Sequence, residues 1–398
     1  MSGKGYGFAT RSVHVGNEID RHSGAIRSPI TMANSYALPY DPSELNWSSA
    51  EGSIYTRNGG ANQRQLQEKL ASLEGGEDCV VLASGMAAIS GTFFTFLKAG
   101  DHVVFGDNTY IGAYRLLNEL LPQKYGVETT MVDSSDLEAL KAAMRPNTRL
   151  VHIETPGNPT LKITDIRAVV KIAHGAGALI SLDNTFASPF LTRPPELGVD
   201  LTIESLTKYV NGHGDAMGGA VIGKKALIDR IRADAMVNQG GTISPFNAWL
   251  ISRGAATFPL RMRQHCDSAL KMAEFLVRQP SVRFVAYPGL ESHPGHSIAK
   301  SQMGGGFGGV LSFGLHADHD AHNRFVSNLK LIISAVSLGH DESLIAFLGE
   351  DDERMHLFPK EFKGGFFRMS VGIEDAEDVI DDVRQALERT GLPTDGPR

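Results

Sequence analysis

From about residue 60 to 225, short apolar runs alternate with longer amphipathic stretches. The runs "CVVLA" (79–83), "HVVFG" (102–106), "VETTMV" (127–132), "LVHIE" (150–154), "ALISLD" (178–183), "DLTIES" (200–205) and "AVIG" (220–223) are rich in β-branched residues, and they predict strands. Between them, segments such as "ANQRQLQEKLASLEG" and "DIRAVVKIAHGAG" repeat apolar residues three and four apart, the period of a helix with one buried face. Such alternation predicts an α/β fold around a mostly parallel sheet with helices on both faces. Chemistry is then expected beyond the carboxyl ends of the strands. After residue 225 the rhythm changes: a helical stretch (248–279) leads to a second block with "GGVLSFGL" (308–315), "FVSNLKLIISAVSLG" (325–339), "FFRMSVGIE" (366–374) and a final helix "AEDVIDDVRQAL". The expected organisation is an arm over residues 1–59 that packs on another domain or subunit, a large domain over 60–250 and a smaller α/β domain over 251–398.

Composition narrows the function classes. The chain has 398 residues, 42% apolar and 21% charged, with a net charge of −7. A mildly acidic chain repels nucleic acid and anionic membranes. No apolar run is long enough to span a bilayer, and "MSGKGYGFATRSVHVG" lacks the apolar stretch of a secretory signal. The two cysteines, Cys79 and Cys266, are far apart and in no metal-like spacing. A cytoplasmic protein without disulfides or metal is expected. None of the 14 histidines is assigned to catalysis, and His152 reads as a core residue. The tract "GGGFGG" (304–309) fits G-x-G-x-x-G in letters only, because it precedes a strand instead of following one.

Polar groups stand where apolar runs end. Asp183 closes "ALISLD", Ser205 closes "DLTIES" with Thr207 and Lys208 just after it, and "SGMAAISG" (84–91) follows "CVVLA". Ser84, Gly85 and Met86 either open a helix whose bare N–H groups suit an anion or form a plain tight turn. Taken singly, Asp183 reads as a cap and Lys208 as a surface residue. Together they suggest more. A carboxylate can hold a heteroaromatic nitrogen protonated, a poorly hydrated amine becomes a nucleophile toward carbonyls, and the hydroxyls suit a phosphate. Pyridoxal 5′-phosphate requires this set.

Motifs along nearly the whole chain carry a family resemblance: "TRSVHVG", "YTR" (55–57), "ASGMAAI", "ETPGNPTLKITDI", "DNTFASPF", "SLTKYVNGHGDAMGG", "LRMRQHC", "YPGLESHPGH", "AVSLG" and "FRMSVGIED". With these the chain resembles the pyridoxal-phosphate enzymes of Cys/Met metabolism. The resemblance implies a fold-type I, aspartate aminotransferase-like architecture. It implies Lys208 as the cofactor-bearing, proton-moving lysine and Asp183 at the ring nitrogen. Gly85, Met86, Ser205 and Thr207 would hold the phosphate, with Tyr55 and Arg57 reaching a neighbouring subunit's phosphate. Tyr110 would stack on the ring and protonate the leaving group. Arg368, helped by Asn158 and Ser337, would hold the substrate carboxylate. It further implies a homotetramer of active dimers.

Departures from the family pattern bear on the substrate. "NGGAN" follows "YTR" where the family has Asn-Pro-Thr, and Gly112 stands where methionine γ-lyases carry a cysteine. Val336 replaces the glutamate of cystathionine-handling members. After "ESL", around Leu348, the chain reads "IAFLGEDDERMHLFPKEFKGGF" from residue 345 onward, with an acidic run at Glu350, Asp351, Asp352 and Glu353. The run is either a solvated loop or a set of acids facing a cationic substrate such as canavanine. The expected activity is γ-elimination from a canavanine- or methionine-like amino acid through a vinylglycine-type intermediate. The alternatives are γ-replacement, as in cystathionine γ-synthase or O-acylhomoserine sulfhydrylase, and a catalytically silent cofactor-binding regulator.

Overall fold

The computed structural model describes residues 5–38, 40–41, 43, 54–349 and 352–395. The apolar runs form the first sheet: β1 (Asp78–Leu82), β2 (His102–Gly106), β3 (Glu128–Val132), β4 (Thr148–Glu154), β5 (Leu179–Asp183), β6 (Leu201–Ser205) and β7 (Gly219–Gly223). Their order is β1-β7-β6-β5-β4-β2-β3. Only β7 runs antiparallel to its neighbours, so β1, β6, β5, β4 and β2 all end at one edge.

This sheet is buried on both faces, as covering helices require. In β1, Val80 and Leu82 pack with Ile89 and Phe93 of the helix Gly85–Phe96. Cys79 and Val81 face the other way, against Leu66 and Leu70 of the helix Ala61–Glu74 and Ile251 of the helix Pro245–Ala255. Each fully buried aliphatic side chain of this kind contributes about 1.5–3 kcal/mol. Both cysteines are free and buried, and among the described residues no helix is long and apolar enough to cross a membrane.

The helical stretch expected over 248–279 is two helices, Pro245–Ala255 and Phe258–Arg278, the second with a proline in its first turn where no N–H is needed. Beyond them lies a second sheet of β8 (Val282–Ala286), β9 (Val310–Leu315), β10 (Ile333–Ser334), β11 (Leu344–Leu348) and β12 (Phe366–Ser370), in the order β10-β11-β12-β9-β8. The final helix is Ala376–Thr390. The glycine tract 304–309 lies in the loop before β9, and Gly309 N–H donates to the Tyr209 hydroxyl at 3.1 Å.

Candidate active site

The carboxyl edge of the first sheet collects the polar residues that end its strands. Asp183 and Glu154 close adjacent strands in register, and Ser205 closes β6 beside them. Thr185 links two of these strand ends: its N–H donates to Asp183 Oδ1 at 3.0 Å, and its hydroxyl accepts from Ser205 N–H at 2.9 Å. Burial pushes the Asp183 carboxyl up, and the bonds from Thr185 pull it back. A protonated ring nitrogen beside it would restore the charged form.

The segment after β1 does open a helix. Ser84 caps Gly85–Phe96 by accepting from Ala87 N–H at 3.1 Å. The Gly85 and Met86 N–H groups ahead of that bond are left for an anion at the positive end of a 12-residue helix. A Cβ on Gly85 would stand 2.9 Å from both Cβ and Oγ of Ser205, so glycine is what lets the helix start approach β6. We expect Gly85→Ala to weaken phosphate binding about ten- to hundredfold, the effect of ~1–3 kcal/mol of overpacking. A cofactor titration followed by absorbance checks this. The Thr207 hydroxyl accepts from Gly218 N–H at 3.2 Å, within the same loop.

Lys208 is half-buried, and its Nζ donates to Ser337 Oγ at 2.6 Å. Desolvation, and then the charge of Arg368, lower its amine from the ordinary value of 10.5 to about 8. Its loop is held from behind by the buried Arg261, whose guanidinium donates to the carbonyl of Tyr209 at 2.8 Å and of Val210 at 3.2 Å. Only the neutral amine attacks an aldehyde. Capture of pyridoxal phosphate by the apo-protein should therefore speed up about fivefold from pH 7 to 8 and level off above about pH 9. An amine of ordinary basicity would keep accelerating beyond pH 10, and stopped-flow absorbance distinguishes the two.

The second sheet supplies the rest. Arg368 on β12 donates to Asn158 Oδ1 at 3.3 Å and to the Ser337 carbonyl at 2.8 Å, while its buried Nε has no partner among the described residues. Ser337 thus joins Lys208 to Arg368, and it does so at φ +90°, a left-handed conformation costly for a serine. Tyr110, 40% exposed, opens the helix Ile111–Arg115, and its N–H donates to Glu154 Oε2 at 2.5 Å. A Cβ at Gly112 would lie 2.5 Å from Met86 Sδ and 2.8 Å from the Tyr110 ring, so these two side chains occupy the space a cysteine would need.

Other expected residues fall elsewhere. The Arg57 guanidinium lies 5.0 Å from the Tyr55 ring centroid, and among the described residues neither side chain hydrogen-bonds to Ser205, Thr207 or Lys208 of its own chain. Val336 is 81% exposed. In the acidic run, Glu353 pairs with Arg115 at 3.0 Å and Asp352 with Arg354 at 3.4 Å, while Glu350 and Asp351 lie outside the described residues. His152 is buried against Ser181, and burial lowers it to about 3, as suits a neutral core histidine. Among the described residues no group of three potential ligands could hold a metal.

Sequence reasoning missed Glu154, Thr185, Arg261 and Arg354. Glu154 was the most legible of them, since it ends an apolar strand just as Asp183 does.

The half-buried amine, the strand-end carboxylate and the helix start opened by glycine fit pyridoxal 5′-phosphate, and the sheet that carries them is that of a fold-type I enzyme. The family model for Cys/Met metabolism PLP-dependent enzymes matches residues 9–388. Canavanine γ-lyase of Rhizobium leguminosarum bv. trifolii is 56% identical over 386 residues, 96% of each chain. Canavanine γ-lyase of Pseudomonas canavaninivorans is 54% identical over 385 residues, again 96% of each. The crystal structure of metB from Corynebacterium glutamicum superposes with a TM-score of 0.90 at 40% identity, covering 98% of this chain and 100% of that one. The chain belongs to the Cys/Met metabolism family of PLP-dependent enzymes.

Proposed function

We propose that this enzyme is a γ-lyase whose substrate is canavanine, cleaving the bond between Cγ and the guanidino-oxy oxygen. The observation that carries the γ-lyase reading is the Lys208–Ser337–Arg368 constellation, a proton-moving amine 2.6 Å from a hydroxyl whose own carbonyl steadies the arginine. The substrate is chosen because two canavanine γ-lyases share more than half of the aligned residues. Gly112 under the Tyr110 ring and Val336 at an exposed position fit that choice, since neither offers the side chain that methionine or cystathionine specialists carry there.

Arg368 binds the substrate carboxylate with its guanidinium, with Asn158 beside it. Asp183 keeps the ring nitrogen protonated, while Gly85, Met86, Ser205 and Thr207 hold the phosphate. When bound, pyridoxal phosphate acts as an electron sink that makes the Cα and Cβ protons acidic. Lys208 takes up those protons in turn. As the Cγ–O bond breaks, its electron pair leaves with oxygen and Tyr110 supplies the proton, releasing hydroxyguanidine. The four-carbon remainder takes up one water and ends as homoserine, where the water oxygen joins Cγ, or as 2-oxobutanoate and ammonia, where water hydrolyses the carbon–nitrogen bond. Tyr55 and Arg57 complete a neighbouring subunit's phosphate site within a cytoplasmic homotetramer.

The test is incubation of the holoenzyme with canavanine and excess cysteine, with products identified by mass spectrometry. Hydroxyguanidine with homoserine or 2-oxobutanoate supports elimination. Cystathionine as the main product would make it a γ-replacement enzyme. Untouched canavanine would remove the substrate assignment.

A further inference from the structure

We propose that Arg354 is a positioning residue for this reaction, working with Glu154 to hold Tyr110 and Asn158 in place. The proposal rests on the reading of those two residues as leaving-group acid and carboxylate partner. Its basis is how two peptide units are held. The carbonyl of the Thr109–Tyr110 peptide accepts from Arg354 Nη1 at 2.9 Å, and the N–H of the same peptide donates to Glu154 Oε2 at 2.5 Å. Asn158 is held by the same cation: its carbonyl accepts from Arg354 Nη1 at 3.3 Å. One cation thereby grips the backbone at both groups, and one acid, Glu154, holds the Tyr110 side of the grip.

Arg354 is built for this. It is 4% exposed, its Nε and Nη2 face Asp352 Oδ1 and Oδ2 at 3.4 Å each, and its guanidinium lies 5.4 Å from the Phe358 ring centroid. Asp352 also accepts from the Arg354 backbone N–H at 2.8 Å, so the acid holds the arginine rather than a ligand. Because Arg354 follows β11, the grip ties the acidic segment to the site through backbone. The segment then acts on the reaction by fixing the Tyr110 ring and by setting Asn158, whose side chain accepts from Arg368. Lysine cannot replace it, because a point ammonium cannot span two carbonyls and a carboxylate.

The experiment compares the holoenzyme with Arg354→Lys, Arg354→Met and Glu353→Gln, the last altering only the surface pair with Arg115. Two readouts are taken: steady-state kinetics on canavanine, and backbone hydrogen exchange in the peptides that contain Tyr110 and Asn158. Arg354→Lys is expected to lower kcat about tenfold through Tyr110 and raise KM about tenfold through Asn158, the scale of a small misplacement. Exchange at both peptides is expected to rise, and Glu353→Gln is expected to stay within about twofold of the parent. Unchanged exchange at both peptides with kinetics within twofold in Arg354→Lys overturns the proposal, and that variant decides alone where Arg354→Met does not fold. Tyr110→Phe and Asn158→Ala separate the two claims. If they leave kcat and KM unchanged, the site reading fails, while faster exchange in Arg354→Lys still reports the grip.

Discussion

Replacing Lys208 with alanine is expected to lower kcat by about 10⁴-fold or more, at or beyond the upper end of what a positioned proton-transfer group contributes. Among the described residues the neighbours of Lys208 offer no second amine: Ser337 Oγ is the partner of Lys208 Nζ, and the buried Arg261 is turned to the carbonyls of Tyr209, Val210 and Asn211. The loop itself should survive, because those backbone bonds and the Tyr209 hydroxyl do not involve the lysine side chain. Circular dichroism should therefore be unchanged. Borohydride reduction of the parent holoenzyme followed by peptide mapping should place the cofactor on the peptide with Lys208. A variant that keeps more than a hundredth of the parent's kcat, or a label on another lysine, would sink the assignment.

The second large effect is expected at Arg368. Truncation to leucine should lower kcat/KM by about 10²–10³-fold, the loss of roughly 3–4 kcal/mol typical when one partner of a buried charge pair is removed. Most of the loss is expected in KM, because the carboxylate is bound alike before and during reaction. Arg368→Lys should recover only part of it. An ammonium cannot serve Asn158 Oδ1, the Ser337 carbonyl and a carboxylate at once. A KM unchanged in Arg368→Leu would show that the carboxylate binds elsewhere.

Much of the sheet was legible in the sequence, because each strand is a short apolar run with turn residues at its ends. "LVHIE" and "ALISLD" became β4 and β5 with the acids Glu154 and Asp183 at their tips. Strand direction was not legible. β7 is a short apolar run like β1 and β6 on either side of it, and its reversal appears only in the antiparallel pairing with those two strands. The groups around Lys208 could be named from the family pattern, but their contacts join distant residues, Lys208 to Ser337 and Arg368 to Asn158. No local period encodes such contacts. Arg354 stayed hidden for a related reason. Within "GEDDERMH" it reads as one more charge on a solvated loop, and only the fold shows its guanidinium under the Thr109 and Asn158 carbonyls. The acids drew attention as candidate ligands, yet Asp352 and Glu353 are occupied by arginines of this chain.

The most direct measurement gives the purified holoenzyme equal concentrations of canavanine, methionine, cystathionine and O-acetylhomoserine together and follows each by mass spectrometry. In such a mixture the rates rank the substrates by kcat/KM. Canavanine is expected to disappear first, with hydroxyguanidine appearing in step. Consumption of methionine, cystathionine or the ester ahead of canavanine would contradict the substrate assignment and leave the chain a γ-lyase or γ-replacement enzyme for sulfur or ester substrates.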